Sequence, residues 1–242
     1  MDNSISTAPH RFSPRALGGV LLLALGFIAP AAIHAQETGS VPEMPAAQNS
    51  APHTVESELT IEGQGSFGNY KIFAQGEHSK LFTAGVEYDR HSWGYFLGSQ
   101  VDYVAEFLPF VLLDQPAHLN YFGIPITKNK KDMELVPGLG ITPIGIRFLW
   151  RDGRAFAPFL EAKGGILVFT QKAESPNATY ENISLRSELG AEIRLTHRTE
   201  LTIGMGDYHF SNDFIVPSNP GLDVMSYMGG ITYHFGPRDH RR

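Results

Sequence analysis

What the sequence lacks restricts the class of protein that it can encode. It contains no cysteine, which fits an exported protein that folds without disulfides. The formal net charge is −6, from 25 acidic and 19 basic residues, and without a basic patch nothing favours nucleic acid binding. There is no glycine-rich phosphate-binding loop, and the scattered histidines lack metal-ligand spacing. The sequence therefore predicts neither a metal nor a cofactor.

Long apolar segments are scarce, and the longest lies near the N-terminus. Arg11 and Arg15 precede the apolar segment 16–32, and Ile33-His34-Ala35 is the predicted cleavage site. A transmembrane anchor is the alternative, but glycines and a proline interrupt the segment. We predict that residues 1–35 form a signal peptide and that 36–57, rich in Pro, Ser and Ala, form a flexible extension. No other segment approaches about 18 apolar residues, so no membrane-spanning helix is predicted.

Eight strand-like segments follow the extension, without a convincing helix between them. The connections after the second, fourth and sixth segments are tight, whereas those after the first, third, fifth and seventh are long. Short turns at one end and long loops at the other are typical of outer-membrane barrels, whose short turns face the periplasm. The segments are Glu58–Phe67, Leu81–Arg90, Gly94–Leu108, Gly138–Trp150, Phe156–Thr170, Ile183–Thr196, Thr199–Ser211 and Asp223–Phe235.

Side-chain alternation within these segments supports a barrel. Leu201, Ile203 and Met205 are apolar, whereas the residues between them are small or polar, as expected where one face contacts lipid and the other fills the lumen. The fold class that we predict is all-β: an eight-stranded antiparallel up-and-down transmembrane β-barrel over residues 58–235, with a tail at 236–242. The location is the Gram-negative outer membrane. A soluble lipocalin-like barrel or a sandwich is the alternative.

The residues with chemical potential lie where the seventh and eighth segments meet. His209 and Ser211 are two residues apart on a strand, so they share a face. Asp223 opens the next strand with the parity of Met225, so all three side chains point outward at the extracellular end. We expect Ser211 to pair with Asp223, which would make the acid a diagonal neighbour of His209. Polar groups on a lipid-facing wall cost free energy, which suggests a function.

These residue types indicate ester hydrolysis. Neutral His209 can take the proton of Ser211, the nucleophile, and Asp223 can orient the imidazole and stabilise its charged form. Asn212, or backbone N–H groups of the turn after it, can stabilise the oxyanion. Asp207, two residues before His209 on the same face, is the alternative orienting acid.

Two motifs resemble those of the PagL-type lipid A 3-O-deacylase family, also called acyloxyacyl hydrolases. The first, His209-Phe210-Ser211-Asn212, resembles the His-x-Ser-Asn motif of that family. The second, Asn219-Pro220-Gly221-Leu222-Asp223, places an acid fourteen positions after the histidine. Segments 139–147 and 158–165 also resemble strands of the family, so the similarity covers most of residues 58–235. This sequence departs from the family in having Asp223 where glutamate is usual, and Asp213 and Phe214 where small residues are usual.

The resemblance implies an eight-stranded outer-membrane serine esterase that acts without a metal or cofactor. Its roles would be Ser211 as nucleophile, His209 as base, Asp223 as acid and Asn212 as oxyanion contributor. The substrate would be lipopolysaccharide, from whose lipid A the enzyme removes the 3-O-linked hydroxyacyl chain. Two alternatives are a non-catalytic structural or adhesive barrel, which would act through its long loops, and an esterase or phospholipase for other lipids. A homodimer is a further open alternative.

Overall fold

The computed structural model describes residues 56–76, 78–118, 132–151 and 155–235. Eight antiparallel strands pair in chain order, and β1 pairs with β8 to close the barrel, as predicted. The predicted signal peptide, residues 36–55 of the extension and the tail 236–242 lie outside the described residues. The strands are β1 (Ser57–Asn69), β2 (Lys80–Phe96), β3 (Ser99–Pro116), β4 (Met133–Leu149), β5 (Phe156–Phe169), β6 (Glu181–Arg194), β7 (Thr199–Ser211) and β8 (Leu222–Phe235).

The connections differ in length between the two ends of the barrel. Ser57 of β1 pairs with Phe235 of β8, so both chain ends leave the barrel at the same end, here called the turn end. The connections at this end are 97–98, 150–155 and 195–198, whereas those at the opposite loop end are 70–79, 117–132, 170–180 and 212–221. The predicted alternation of short turns and long loops is confirmed.

The hairpin between β2 and β3 lies away from its predicted position. We expected the turn at His91-Ser92-Trp93, but β2 continues to Phe96 and the chain reverses at Leu97 and Gly98. These two residues have φ angles of 48° and 80°, as required at both central positions of a type I′ turn. The predicted turn falls instead on a register shift between His91 and Tyr95, where a bulge bends the strand without ending it.

The wall has two chemically different faces. Outward positions carry exposed apolar side chains such as Leu185, Leu189 and Met205, which suits contact with lipid. Near the loop end the inward positions form a buried apolar cluster, here called the lumen plug. It comprises Leu81, Leu108, Val111, Leu113, Val136, Leu167, Phe169, Ala173, Tyr208, Phe210, Leu222 and Val224.

Between the lumen plug and the turn end, charged side chains fill the interior of the barrel. Arg147 is fully buried, with Nη2 lying 2.5 Å from a carboxylate oxygen of Asp89 and 3.2 Å from Glu58. Arg186 Nη2 lies 2.8 Å from Glu106 and 3.1 Å from Glu62. Lys163 contacts Glu87, Glu161 and Glu188. Paired charges of this kind fill the interior of a small barrel.

In the described ranges no helix is long and apolar enough to cross a bilayer.

Candidate active site

The end of β7 and the start of β8 bring a histidine and a carboxylate into contact on the outer wall. His209 on β7 pairs directly with Asp223 on β8, and its Nδ1 lies 2.5 Å from Asp223 Oδ1. The predicted register, with Ser211 opposite Asp223 and His209 opposite Met225, is therefore wrong by two residues. Asp207, not His209, faces Met225.

The inner face of the same two strands explains this register. Phe210 pairs with Leu222 and Tyr208 with Val224, and all four side chains are buried in the lumen plug. Burial of these apolar pairs stabilises one alignment of the strands. A shift by two residues leaves every side chain on its original face. The outward direction of His209, Ser211 and Asp223 was thus predictable, but their pairing was not.

The loop that follows β1, the strand paired with β8, holds the carboxylate of Asp223. Its Oδ2 accepts backbone hydrogen bonds from Ile72, Phe73 and Ala74, with N···O distances of 2.9, 2.8 and 2.9 Å. These donors cover the carboxylate, and Asp223 is completely buried. The Phe73 ring also packs edge-on against the His209 ring, with centroids 5.8 Å apart.

Ser211 ends β7 on the same outward face as His209. Among the described residues, no hydrogen bond joins its Oγ to His209, although rotation about χ1 can direct the hydroxyl along the strand. Gly221 lies beside it with a φ of +57°, and a Cβ there would meet Phe210 O at 2.9 Å and Ser211 Cβ at 3.1 Å. Glycine at this position therefore gives the backbone its left-handed conformation and leaves space beside the serine.

Asn212 shapes the loop that follows the serine. Its side-chain Nδ2 donates to Ser218 O at 2.7 Å, and its Oδ1 accepts from Phe214 N at 3.1 Å. The backbone N–H of Asn212 donates to Asn219 Oδ1. Its predicted contribution to an oxyanion site stays a prediction, since these contacts all lie within the loop.

The two residues after Asn212 adopt a strained backbone. Asp213 and Phe214 have φ angles of 47° and 57°, in the left-handed region that bulky residues rarely occupy. Their side chains point into solvent, and Phe214 is 75% exposed. Within the described part of the chain, no hydrogen bond uses the Asp213 backbone N–H. This group is therefore a further candidate donor to a bound oxyanion.

Asp207, the alternative orienting acid, does not take the position of Asp223. It lies on the outward face of β7 between Ser187 of β6 and Met225 of β8. Its Oδ1 is buried and has no hydrogen-bond partner among the described residues. Of the two candidate acids, Asp223 is the one in contact with His209 Nδ1.

An apolar groove of ≈ 680 Å³ runs across the outer wall from His209 and Phe73. Its floor follows a row of paired residues across four strands, and the two residues in the middle of the row have small side chains. Leu185 borders this row towards the loop end, where Gly164 leaves further space. The row consists of Asp207, Ser187, Ala162 and Ile146.

Sequence reasoning missed a second histidine–carboxylate group, in the lumen at the turn end. His234 lies 3.1 Å from Glu58 and 3.2 Å from Glu200, and its neighbours could together hold a cation. Arg151, however, already lies among these carboxylates, 2.8 Å from both Glu56 and Glu58. The group is therefore an ion-pair cluster. No local spacing indicates it, because its members come from distant strands.

Fold and site define a class: a closed β-barrel with a histidine–aspartate pair and a serine on its outer wall. The family model described as lipid A 3-O-deacylase (PagL) matches residues 82–232, more than half of the chain. The chain belongs to this family and is an integral protein of the outer membrane. Its loop end accordingly faces the cell exterior.

Solved outer-membrane proteins have similar structures at low sequence identity. The outer membrane enzyme PagL is 12% identical with a TM-score of 0.48, and the match covers 72% of this chain and 97% of PagL. OprG from Pseudomonas aeruginosa is 12% identical with a TM-score of 0.44, over 76% of this chain and 98% of OprG. Neisserial surface protein A is 10% identical with a TM-score of 0.44, over 74% and 97%. No curated protein sequence matches the chain.

Proposed function

We propose that this protein is an outer-membrane serine esterase that removes the 3-O-linked hydroxyacyl chain from lipid A of lipopolysaccharide. The observation that carries the proposal is the His209–Asp223 contact of 2.5 Å on the face that also presents Ser211. Membership in the lipid A 3-O-deacylase family supports the same chemistry. The location suits the substrate, since lipid A in the outer leaflet would lie against this wall.

The geometry around the imidazole supports the roles proposed for His209, Asp223 and Ser211. Asp223 accepts the Nδ1 proton of His209, which leaves Nε2 free to act as the base. Nε2 removes the Ser211 hydroxyl proton as Oγ attacks the ester carbonyl carbon. The imidazolium then returns this proton to the departing sugar oxygen, which leaves an acyl-enzyme. Water, deprotonated by the same histidine, releases the fatty acid and regenerates the serine.

The oxyanion of each tetrahedral intermediate needs hydrogen-bond donors beside Ser211. The backbone N–H of Asp213 lies in the turn directly after the serine and has no acceptor in the described part of the protein. Asn212 holds this turn through its contacts with Ser218 and Phe214. Its side-chain amide nitrogen is the other candidate donor. A donor of this kind typically contributes about 3 kcal/mol to transition-state stabilisation.

The outer-wall groove fits the acyl chain. Adjacent strands are about 4.8 Å apart, so the row from Asp207 on β7 to Ile146 on β4 spans about 14 Å. A fatty acyl chain advances roughly 1.3 Å per carbon, given its bond length, so the row corresponds to about ten to twelve carbons. The chain would leave Ser211, pass beneath Phe73 and lie along the wall.

The decisive experiment compares lipid A from cells that express the wild-type protein or Ser211→Ala. We expect the wild-type protein to remove one hydroxyacyl chain, visible as a mass decrease, and the variant to leave lipid A intact. Thr179→Ala, at the exposed loop end and distant from the serine in sequence, is a control for substitution itself. Hydrolysis of lipid A and of defined phospholipids by the purified protein should also be measured in parallel. An unchanged lipid A spectrum with correctly folded wild-type protein would reject the proposal and favour a structural barrel, and hydrolysis of phospholipid alone would indicate a different lipase.

A further inference from the structure

Asp207 is an unexplained polar group on the membrane-facing wall. The residue lines the same apolar groove as His209, and its carboxyl oxygen Oδ1 is buried without a hydrogen-bond partner in the described structure. A buried acceptor that lacks a donor destabilises the protein, and a polar group on the lipid face does so too. A ligand that supplies the missing donor would account for it.

The depth of Asp207 indicates which part of a lipid carries that donor. Asp207 precedes His209 by two residues on a strand that runs towards the loop end. It therefore lies about 7 Å further from that end, on the membrane side of the ester site. Charged headgroups stay at the membrane surface, so a donor at this depth belongs to an acyl chain.

The residue opposite Asp207 on the neighbouring strand indicates that the missing donor is a hydroxyl group. Ser187 faces Asp207 directly across β6 and β7 and is exposed on the same groove floor. A hydroxyl group both donates and accepts hydrogen bonds. It can donate to the Asp207 carboxyl oxygen and accept from Ser187 Oγ, so a single hydroxyl group uses both polar side chains of the groove floor.

The spacing also fits a hydroxyl near the ester. An ester carbonyl beside His209 would lie about 7 Å along the strand from the Asp207 backbone. Two carbon–carbon bonds, one carbon–oxygen bond and a hydrogen bond of about 2.8 Å bridge most of that distance. The aspartate side chain supplies the rest. A hydroxyl at carbon 3 of the acyl chain is therefore within reach.

We infer that Asp207, with Ser187, is the specificity site that selects hydroxylated over plain acyl chains. This inference rests on the proposed esterase function for its catalytic consequence. Its binding consequence is separate: the groove should prefer a hydroxylated fatty acid even in a protein without the nucleophile.

Binding is measured in the Ser211→Ala protein in detergent micelles, by displacement of a fluorescent fatty acid. The competitors are 3-hydroxydodecanoic acid and dodecanoic acid. We expect a preference of about tenfold for the hydroxylated acid, the value of one hydrogen bond to a carboxylate, and its loss on adding Asp207→Leu. Ser187→Ala should reduce it partly. Asp114→Leu is the matched control, because Asp114 is an outward acid on β3, opposite Lys80 and outside the groove.

Turnover is measured with the wild-type protein on the para-nitrophenyl esters of the same two acids. The ratio of their kcat/KM values should fall by about tenfold in Asp207→Leu and stay at the wild-type value in Asp114→Leu. Equal binding of both acids to the Ser211→Ala protein would overturn the inference, as would an unchanged preference in Asp207→Leu. A hydroxyl preference in binding without any turnover would uphold the Asp207 site and reject the esterase function.

Discussion

Two regions of this barrel combine basic side chains with carboxylates. They differ in whether the basic group is accessible from outside the barrel and in how many carboxylates it contacts. In the lumen, Arg147 is fully buried and contacts several carboxylates at once. On the outer wall, Nδ1 of His209 contacts the single carboxylate of Asp223. The lumen charges thus form a network of ion pairs with several cations and carboxylates, whereas the outer wall has a single histidine–carboxylate pair. Under the proposed function, charged pairs contribute to stability in the lumen and to reactivity on the outer wall.

The largest effect expected on the outer wall comes from Asp223→Ala. Without the carboxylate, the tautomer and orientation of the His209 ring are no longer fixed, and kcat should fall by about a thousandfold or more. Asp207→Ala should reduce the rate far less, because Asp207 makes no contact with His209 Nδ1. Ester hydrolysis by the two purified variants checks this ranking. A larger loss in Asp207→Ala would transfer the orienting role to Asp207.

In the lumen, the corresponding substitution should affect stability. Arg147→Met would leave the buried carboxylate of Asp89 without a cation among the described residues, although Glu58 and Glu192 keep Arg151. Loss of one partner of a buried ion pair typically costs about 3–5 kcal/mol. Urea unfolding in lipid bilayers measures this free energy. The folded fraction should keep the wild-type kcat, and a strong loss of kcat there would show that the two regions are not separable.

A smaller effect of opposite sign is expected for Asp207→Leu. Replacing an unpaired acid by an apolar residue on the lipid face should raise the free energy of unfolding by about 1 kcal/mol. The same urea titration serves here, with Asp114→Leu as its control. A destabilised Asp207→Leu protein would mean that the carboxyl group has a partner within the protein, contrary to its role as a ligand acceptor.

The smallest effect should come from Phe214→Gly in the loop after the serine. Its φ of 57° strains a bulky residue but not glycine, and little burial is lost because the ring is exposed. We expect a gain of about 0.5–1 kcal/mol after the entropic cost of glycine. Hydrogen exchange of residues 212–216 would detect this local gain, and faster exchange in the variant would contradict it.

The sequence predicts which side of the barrel wall a side chain occupies better than which residue it faces on the neighbouring strand. Strict alternation along β7 predicts that His209 and Ser211 point outward, and this property survives any shift by an even number of residues. The contact between His209 and Asp223 instead depends on how Phe210 and Leu222 pack inside the barrel, which a local pattern does not encode. The turn at Leu97-Gly98 was missed for a related reason, since its strand continues through a bulge.

The contribution of Ile72, Phe73 and Ala74 was also beyond local reasoning. They bind Asp223 through backbone N–H groups, which every residue except proline possesses, so no side-chain pattern marks them. Asp207 was noticed, but only as a rival acid, because the sequence does not show which acid contacts the imidazole.

Under the proposed function, the hydrogen bonds to Asp223 couple catalysis to closure of the barrel. The carboxylate belongs to the last strand made, whereas its three amide donors follow the first. They can meet only after the sheet has joined its two ends, so a chain still in transit through the periplasm lacks these three hydrogen bonds to the carboxylate. Such an enzyme would become competent only on completing insertion, and lipids encountered earlier would be spared.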